Sequence, residues 1–595
     1  MSELHKACEK GYLEQVTSLL TSTNINTQNT YGETPLFLAS KYAHLDIVKV
    51  LVSRQECDLN IPDEHSNTPL HTACKHKFPS VVQLLVAVQR CQLNTQNRQG
   101  QTPLHIASNY NEVNSVKVLV SREECDLNVP DEQGNTPLHT ACKHTHTFIF
   151  RLLVANQRCQ SVNTQNKDGE TPLHIASKYG SMITVEDLLS REECDLNIPD
   201  EQGNTPLHTA CKQNFSSVVR FLVADQRCQS VNTQNKDGET PLHIASKKGS
   251  MFTVHSLIAL NIVKVLVSRE ECDLNIPDEQ GNTPLHTACK HKFCSAVQFL
   301  VQRCQSVNTQ NKDGETPLHI ASKNGNVNTV MNLVSSEDCE FNIPDGKGNT
   351  PLHVACMYFH YLTVQILTTD QRCQLNAQNG EGETALHVAS ELRDLDTVKV
   401  LVKSDKCNLN IADESGSTPL HSACKHGDTK TIRLLLDRRC STNVPNKKGE
   451  TAEDIPFNGT GDYLLHLACQ WGDVSIVRHL IIDQRCNVNI TNASGNTPLH
   501  TACEHGNLDV VEFLVSGNYC DLNIPDQRGN TPLHLACHIK ALSIVKLLFE
   551  KGCSTSIPNS KGETAQEIPL NEDGDPGVRL PLVTLLVGEK LCRVM

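Results

Sequence analysis

Aromatic residues and positive charge are both scarce in this chain. Aromatics make up 4% of the 595 residues and include one tryptophan. Because a single large core usually contains more aromatic mass, the composition favours many thin cores in a row. Lys and Arg number 53 against 67 Asp and Glu, which leaves a formal charge of -14. A negative chain repels the phosphate backbone, so we expect no nucleic acid among its partners.

Long apolar runs are missing as well. The longest apolar-rich segments, 258–267 and 580–587, are shorter than the roughly 18 residues of a membrane span. Residues 1–8 show no basic head followed by an apolar stretch, so no signal peptide is expected. The sequence therefore predicts a protein that is neither secreted nor inserted in a membrane.

No two cysteines have the Cys-x-x-Cys spacing that many metal sites use. The 27 cysteines instead recur at intervals such as the 17 residues that separate Cys57, Cys74 and Cys91. We interpret them as small packing residues that stay reduced, which favours a cytoplasmic, or else nuclear, location. Neither a metal nor a cofactor is predicted.

What the chain has in abundance is one repeated phrase, Thr-Pro-Leu-His-x-Ala. Most copies begin 33 to 35 residues apart, and close variants begin at Thr34 and Thr384. The full copies begin at Thr68, Thr102, Thr136, Thr171, Thr205, Thr240, Thr283, Thr316, Thr350, Thr418, Thr497 and Thr531.

The residues around one copy predict a pair of short helices. Gly203 and Asn204 form turns and accept positive φ, Thr205 can cap a helix, and Pro206 suits its first turn. A helix is predicted over 207–213 and a second, apolar on one side, over about 218–223. Helices this short are marginal alone, so they must bury their faces on neighbouring copies.

The phrase, its period and the preceding Asp-x-x-Gly resemble the ankyrin repeat over residues 3–569. The resemblance implies an all-α repeat solenoid of helix–turn–helix units with β-hairpin loops. We count about 16 helix pairs plus degenerate terminal half-units. It also implies that the histidine of the phrase bridges adjacent loops. One departure is that Arg227-Cys228 stands where the family ends its second helix with Gly-Ala, which leaves that helix cap unassigned.

Two classes of repeat alternate along the chain. Cys-type repeats read Thr-Ala-Cys after the histidine, as at Cys142, and Ser-type repeats read Ile-Ala-Ser, as at Ser108. The phrase degenerates at 448–456 and 561–569, and a new unit begins at Tyr463. These breaks predict a first stack over 1–457, a linker over 458–462, a second stack over 463–570 and a divergent or truncated tail over 571–595. A continuous stack with a bent joint is the alternative.

A second irregularity lies between Thr240 and Thr283, where the spacing grows to 43 residues. Residues 261–275 nearly repeat 46–60, as if helix-two sequence had been inserted twice. The insertion predicts a longer helix or a bulge. A purpose-built kink or binding protrusion around 251–263 is the other interpretation.

No nucleophile elbow, phosphate-binding glycine loop or zinc-protease motif occurs, so we predict that the chain is not an enzyme. Candidate binding residues are those that depart from the repeat. An aromatic cluster replaces a polar turn at Met357, Tyr358, Phe359 and Tyr361, and Trp471 lies at the equivalent turn of the restart unit. These rings could instead fold back onto their own helices. Phe148 and Phe150 are expected to pack inside.

Pairs of carboxylates recur in the loops and predict an acidic row that binds basic segments. A solvated edge is the alternative. The pairs are Asp131-Glu132, Asp200-Glu201 and Asp278-Glu279.

The resemblance implies a scaffold or adaptor that binds one or more partner proteins along an extended surface. The alternative is the substrate- or ligand-recognition arm of a larger regulatory assembly, such as a ubiquitin-ligase adaptor, channel, kinase or death-domain receptor.

Overall fold

The computed structural model of the chain describes residues 2–21, 24–248, 254–456 and 461–568. Over these residues the chain is an all-α solenoid of 32 α-helices, which follow one another as 16 pairs. This confirms the predicted fold class and pair count. The chain divides into two compact units, Met1–Lys312 and Asp313–Met595.

The first unit contains nine helix pairs. Each first helix packs on its own second helix and on the first helices of the adjacent repeats, as α11 does on α12, α9 and α13. The pairs are α1 (Glu3–Lys10) and α2 (Leu13–Leu19), α3 (Pro35–Lys41) and α4 (Leu45–Val52), α5 (Pro69–Lys75) and α6 (Pro79–Val86), α7 (Pro103–Asn109) and α8 (Val113–Val120), α9 (Pro137–Lys143) and α10 (Thr147–Val154), α11 (Pro172–Tyr179) and α12 (Met182–Leu189), α13 (Pro206–Gln213) and α14 (Ser216–Ala224), α15 (Pro241–Ser246) and α16 (Val254–Val267), α17 (Pro284–Lys290) and α18 (Cys294–Val301).

The second unit contains seven pairs, with a π-helical turn over His479–Asp483 after α28. Short 3₁₀ turns mark the two degenerate repeat ends, at Ala452–Asp454 and Ala565–Glu567. The pairs are α19 (Pro317–Asn324) and α20 (Val327–Val334), α21 (Pro351–Met357) and α22 (Tyr361–Thr369), α23 (Ala385–Glu391) and α24 (Leu395–Val402), α25 (Pro419–Lys425) and α26 (Thr429–Asp437), α27 (Leu464–Trp471) and α28 (Val474–Arg478), α29 (Pro498–Glu504) and α30 (Leu508–Ser516), α31 (Pro532–His538) and α32 (Leu542–Glu550).

The repeated phrase builds the first turn of each first helix. In α7, Thr102 is the N-cap, its hydroxyl oxygen accepts the His105 N–H at 3.4 Å, and Pro103 follows. The backbone N–H of Thr102 donates to His105 Nδ1 at 3.1 Å, so that nitrogen carries no proton. His105 Nε2 therefore carries the proton and donates to the Asn135 carbonyl at 2.9 Å, in the next loop. The predicted bridging role of the histidine is confirmed.

Small residues let the first helices approach closely, and branched residues fill the layer behind them. Leu104 and Ala107 of α7 and Val116 and Leu119 of α8 are fully buried. Burying one such Val or Leu side chain contributes about 1.5–3 kcal/mol. Because every repeat repeats this pattern, the core is a continuous thin layer through each unit.

The loops are tight turns rather than regular β-hairpins. In one loop the Asp200 carboxylate accepts the N–H groups of Gln202 and Asn204, both at 2.8 Å, and Gly203 has a φ of +79°. A Cβ at Gly203 would lie 2.9 Å from the Lys236 nitrogen of the next loop. Within the described ranges no regular strand forms, and a single isolated bridge joins Pro558 and Thr564.

An arginine of the following repeat caps each of several second helices. Arg158 donates to the Val120 and Arg122 carbonyls at 2.5 and 2.9 Å, where α8 ends. Arg372 does the same for α20, with 2.7 Å to the Val334 carbonyl. The Arg-Cys sequence that departs from the family's Gly-Ala thus supplies donors to otherwise unpaired helix carbonyls.

The insertion between Thr240 and Thr283 produces a longer helix. Helix α16 has 14 residues where most second helices have eight or nine. Its first turns extend past the repeat, with Leu257 65% exposed. The predicted longer helix is confirmed for Val254–Val267, while residues 249–253 lie outside the described part.

The predicted division into two stacks stays a prediction, since residues 457–460, which include 458–460 of the linker, and the tail 571–595 lie outside the described residues. On either side of the linker, the Cys440 carbonyl accepts from His479 Nε2 at 3.3 Å and Arg433 pairs with Asp473 at 3.5 Å. Within the described ranges no helix is long and apolar enough to cross a bilayer.

Candidate partner-binding surface

The aromatic cluster predicted from the sequence lies on the surface of the second unit. Met357 ends α21 and is half-buried, Tyr358 and Phe359 form the turn between the helices, and Tyr361 begins α22. The three rings are 46%, 55% and 45% exposed. They do not fold into their own helix pair, and their binding role stays a prediction.

Phe359 occupies a position that suits glycine. Its φ is +60°, in the left-handed region. The equivalent turns also have positive φ, with glycine at Gly180 and Gly325 and other residues, such as Lys77 and Arg393, elsewhere. A side chain in this conformation costs about 1–2 kcal/mol relative to ordinary backbone. Among the described residues with positive φ, Phe359 is the one aromatic. The chain therefore places an exposed ring in a backbone conformation that costs stability.

Other residues of these turns have structural tasks. His360 Nε2 donates to the Lys323 carbonyl at 3.1 Å and so caps the first helix of the preceding repeat. Trp471 is half-buried, and the Arg433 guanidinium lies 5.5 Å from its ring centroid. This cation–π contact covers part of the ring, so Trp471 offers less free surface than the Phe359 turn.

A second row of aromatic rings lies on the surface of the first unit. Departures from the repeat do not reveal it, because its residues are part of the repeat itself. At five consecutive turns, from the repeat of Thr34 to that of Thr171, the eighth residue after the threonine is alternately tyrosine and histidine. Tyr42, Tyr110 and Tyr179 are 44%, 37% and 44% exposed. Such rings supply large contact areas at low conformational cost. The row consists of Tyr42, His76, Tyr110, His144 and Tyr179.

One expectation about the core is wrong. Phe150 is fully buried, as predicted, but Phe148 is 74% exposed. The two residues are two positions apart in α10, about 200° around the helix axis, so they cannot face the same core. Phe148 therefore adds to the exposed apolar surface of the first unit.

In each acidic pair, the aspartate is part of the turn and the glutamate is exposed on the surface. The Asp131 carboxylate accepts the Gln133 and Asn135 N–H groups at 2.9 and 2.8 Å, which makes it part of the loop. Asp200 and Asp278 do the same. The adjacent glutamates, Glu132, Glu201 and Glu279, are exposed.

Consecutive loops are joined through these positions, so their order along the surface is fixed. The N–H of Lys167 donates to Gln133, and that of Glu201 donates to Asp168. Lys167 and Lys236 lie in the loops between those of Glu132, Glu201 and Glu279. Charge therefore alternates along this edge, and binding of basic segments by its glutamates stays a prediction.

The imidazoles of the phrase and the thiols of the repeats are buried in ways that suit packing. Burial raises the pKa of the Cys91 thiol to about 12 and lowers the pKa of His71 to about 4. Both groups are neutral at physiological pH as a result. In the described part of the chain no group of three or more His, Cys, Asp or Glu side chains is placed to hold a metal ion.

Comparison of the sequence with known protein families agrees with this architecture. A family model described as ankyrin repeats, three copies to the model, matches residues 4–97, 73–163, 157–235, 226–311, 294–379, 360–446 and 465–559. No curated protein matches the chain. Ankyrin repeats are in general non-enzymatic modules that bind other proteins. With matches across nearly its whole length, the chain belongs to the ankyrin-repeat family.

Proposed function

We propose that this chain is a scaffold or adaptor that binds one or more partner proteins through the turns between its paired helices. The observation that carries the proposal is Phe359, an exposed ring and the one aromatic among the described residues with positive φ. Tyr358 and Tyr361 lie beside it, and aromatic anchors of this kind dominate protein interfaces.

The surroundings of Tyr361 support the same assignment. A groove of about 540 Å³ begins at this ring and continues between α22 and α24, past Gln365, Thr369 and Val400. Ring and groove together offer an anchor and a concave surface. The net negative charge makes protein, rather than nucleic acid, the partner. The buried free thiols favour a reducing compartment, cytoplasm or nucleus, which fluorescence microscopy of the tagged chain would test.

The test uses the full chain as bait in affinity capture, followed by titration of a purified captured protein. The double variant Y358S/F359N should weaken binding at least about tenfold, because each buried aromatic anchor contributes about 2 kcal/mol. Ile183→Ser, which removes a 48% exposed apolar side chain from helix α12, is the matched control. Unchanged affinity of the double variant, with unchanged helicity, would overturn this assignment of the surface.

A further inference from the structure

Four repeats that have serine after the alanine of the phrase contain the same internal ion pair. A glutamate precedes the threonine of the phrase, and a lysine eight residues after that glutamate lies in the last turn of the first helix or just beyond it. Lys41 lies 2.7 Å from Glu33, and Lys178 lies 2.8 Å from Glu170. The pairs are Glu33–Lys41, Glu170–Lys178, Glu239–Lys247 and Glu315–Lys323. In these four repeats, the glutamate carboxylate thus binds a primary ammonium group.

The repeat that begins at Thr384 keeps the glutamate and loses the lysine. Glu383 corresponds to Glu170, but Glu391 stands where Lys178 would be. The loop lysine is lost as well, since Gly380 corresponds to Lys167. Over the described residues no lysine or arginine nitrogen lies within 4.0 Å of the Glu383 or Glu391 carboxylate. The Glu383 carboxylate accepts a hydrogen bond from Asn379 Nδ2 at 3.1 Å.

These carboxylates line a cavity of about 640 Å³ on the loop side of the second unit. Glu381, Glu383 and Glu391 form one part of its wall, and Asp413 adjoins them. The Asp413 carboxylate is engaged by the N–H groups of Ser415 and Ser417, both at 2.8 Å. The remaining charged and titratable lining residues come from the following loops and helix and are His421, Lys425, His426, Lys447, Lys448, Glu450 and Asp454.

Among the described residues, the Glu383 carboxylate lacks the lysine partner that its four counterparts have. Burial raises the pKa of its carboxyl, and the nearby Glu391, Glu381 and Asp413 add to the shift. A half-buried carboxylate surrounded by other carboxylates gains free energy when a cation approaches it. The four sister repeats show which cation fits the geometry, because each places a lysine Nζ on this carboxylate.

We propose that the cavity at Glu383 and Glu391 binds a lysine side chain from an extended basic segment of a partner protein. The incoming ammonium takes the place that Lys178 and Lys323 fill within their own repeats. Glu381 and Glu391 extend the negative surface toward the flanking residues of the segment. This inference rests on the proposed function and specifies the chemistry of one partner segment.

The test measures binding of a fluorescein-labelled peptide, Gly-Lys-Lys-Lys-Gly, to the full chain by fluorescence anisotropy. Glu391→Lys restores the residue of the sister repeats, pairs with Glu383 and should weaken peptide binding about tenfold. Glu383→Gln should weaken it by a similar factor. Glu56→Lys makes the same charge change at an exposed glutamate of the first unit and should change affinity less than about twofold.

Equal weakening by Glu391→Lys and Glu56→Lys would show that the peptide responds to net charge alone, and the proposal would be wrong. Unchanged binding in Glu391→Lys has the same consequence. Thermal unfolding of Glu391→Lys shows whether the variant is folded, and its midpoint should be equal or higher because the internal ion pair is restored. Failure here leaves the scaffold proposal intact if Y358S/F359N still weakens binding of the captured partner protein.

Discussion

The Arg227 guanidinium donates a hydrogen bond to the carbonyl oxygen of Leu189, 2.6 Å away, where helix α12 ends one repeat earlier. The same side chain donates to the Arg191 carbonyl at 2.9 Å and the Cys194 carbonyl at 3.2 Å. The Asp225 carboxylate pairs with the same guanidinium, with 2.7 Å between Asp225 Oδ2 and Arg227 Nη2. One arginine thus supplies the donors that the end of α12 needs, and it joins two repeats in doing so.

Replacing Arg227 with lysine should lower the free energy of unfolding by about 1–2 kcal/mol. A lysine keeps the charge but loses the planar fork that reaches several carbonyls at once. Urea unfolding of the full chain, followed by circular dichroism, measures the change. Arg220→Lys is the control, because Arg220 is exposed on α14 and should tolerate lysine. A midpoint for Arg227→Lys equal to that of the control would show that the fork contributes little.

Replacing Ser108 with alanine should raise the free energy of unfolding by about 1 kcal/mol. The Ser108 side chain is fully buried, and its hydroxyl has no hydrogen-bond partner in the described structure. Removing an unsatisfied buried hydroxyl ends its desolvation penalty without opening a large cavity.

The equivalent change in a Cys-type repeat should have the opposite sign. Cys142→Ala removes a fully buried sulfur atom and should lower the free energy of unfolding by about 1 kcal/mol. The two variants are compared by urea unfolding under one set of conditions. A loss of stability in both would mean that the Ser108 hydroxyl is satisfied in solution, for instance by water.

The fold could be predicted from the sequence because the same residue types recur at the same positions in each repeat. The Thr102 cap, the Pro103 first turn and the buried Ala107 are all visible as positions in a pattern. The arginine caps could not be predicted, because Arg227 and the helix end at Leu189 are 38 residues apart. The exposure of Phe148 depends on helical phase, which a short apolar run does not reveal.

The binding surface was harder to predict than the fold. Departures from the repeat identified Tyr358 and Phe359, and the structure places both on the surface. Predicting the ammonium-binding site at Glu383 requires knowing that Glu170 and Lys178 are in contact. That contact follows from packing and not from their spacing in the sequence. From the sequence alone, Glu391 is indistinguishable from any other surface charge.

Lowering the pH from 6.5 toward 4 should destabilise the stack. Burial lowers the pKa of His139 and His208 to about 4, below the ordinary value of 6.5. Between these values the unfolded chain binds protons that the folded chain does not. The stabilising contribution of each histidine is therefore complete above pH 6.5 and decreases as the pH falls, by about 3 kcal/mol at pH 4. Urea unfolding at pH 7.0, 5.5 and 4.5 measures the decrease.

A pair of variants assigns this pH dependence to the histidines of the phrase. His208→Asn removes one titrating group, so the variant should be less stable at pH 7.0 but lose less stability on acidification. His65→Asn changes an exposed histidine and should keep the slope of the parent chain. Identical slopes in all three proteins would assign the acid sensitivity to carboxylates instead.

Replacing Phe359 with asparagine should raise the stability of the fold while weakening partner binding. Asn214, with a φ of +64°, shows that asparagine occupies the equivalent turn of another repeat. Relieving the left-handed strain of a bulky residue should raise the free energy of unfolding by about 1 kcal/mol. Thermal unfolding and partner titration are measured on the same preparation. A less stable variant would instead mean that the Phe359 ring stabilises its own turn, and the reason for keeping it there would be structural.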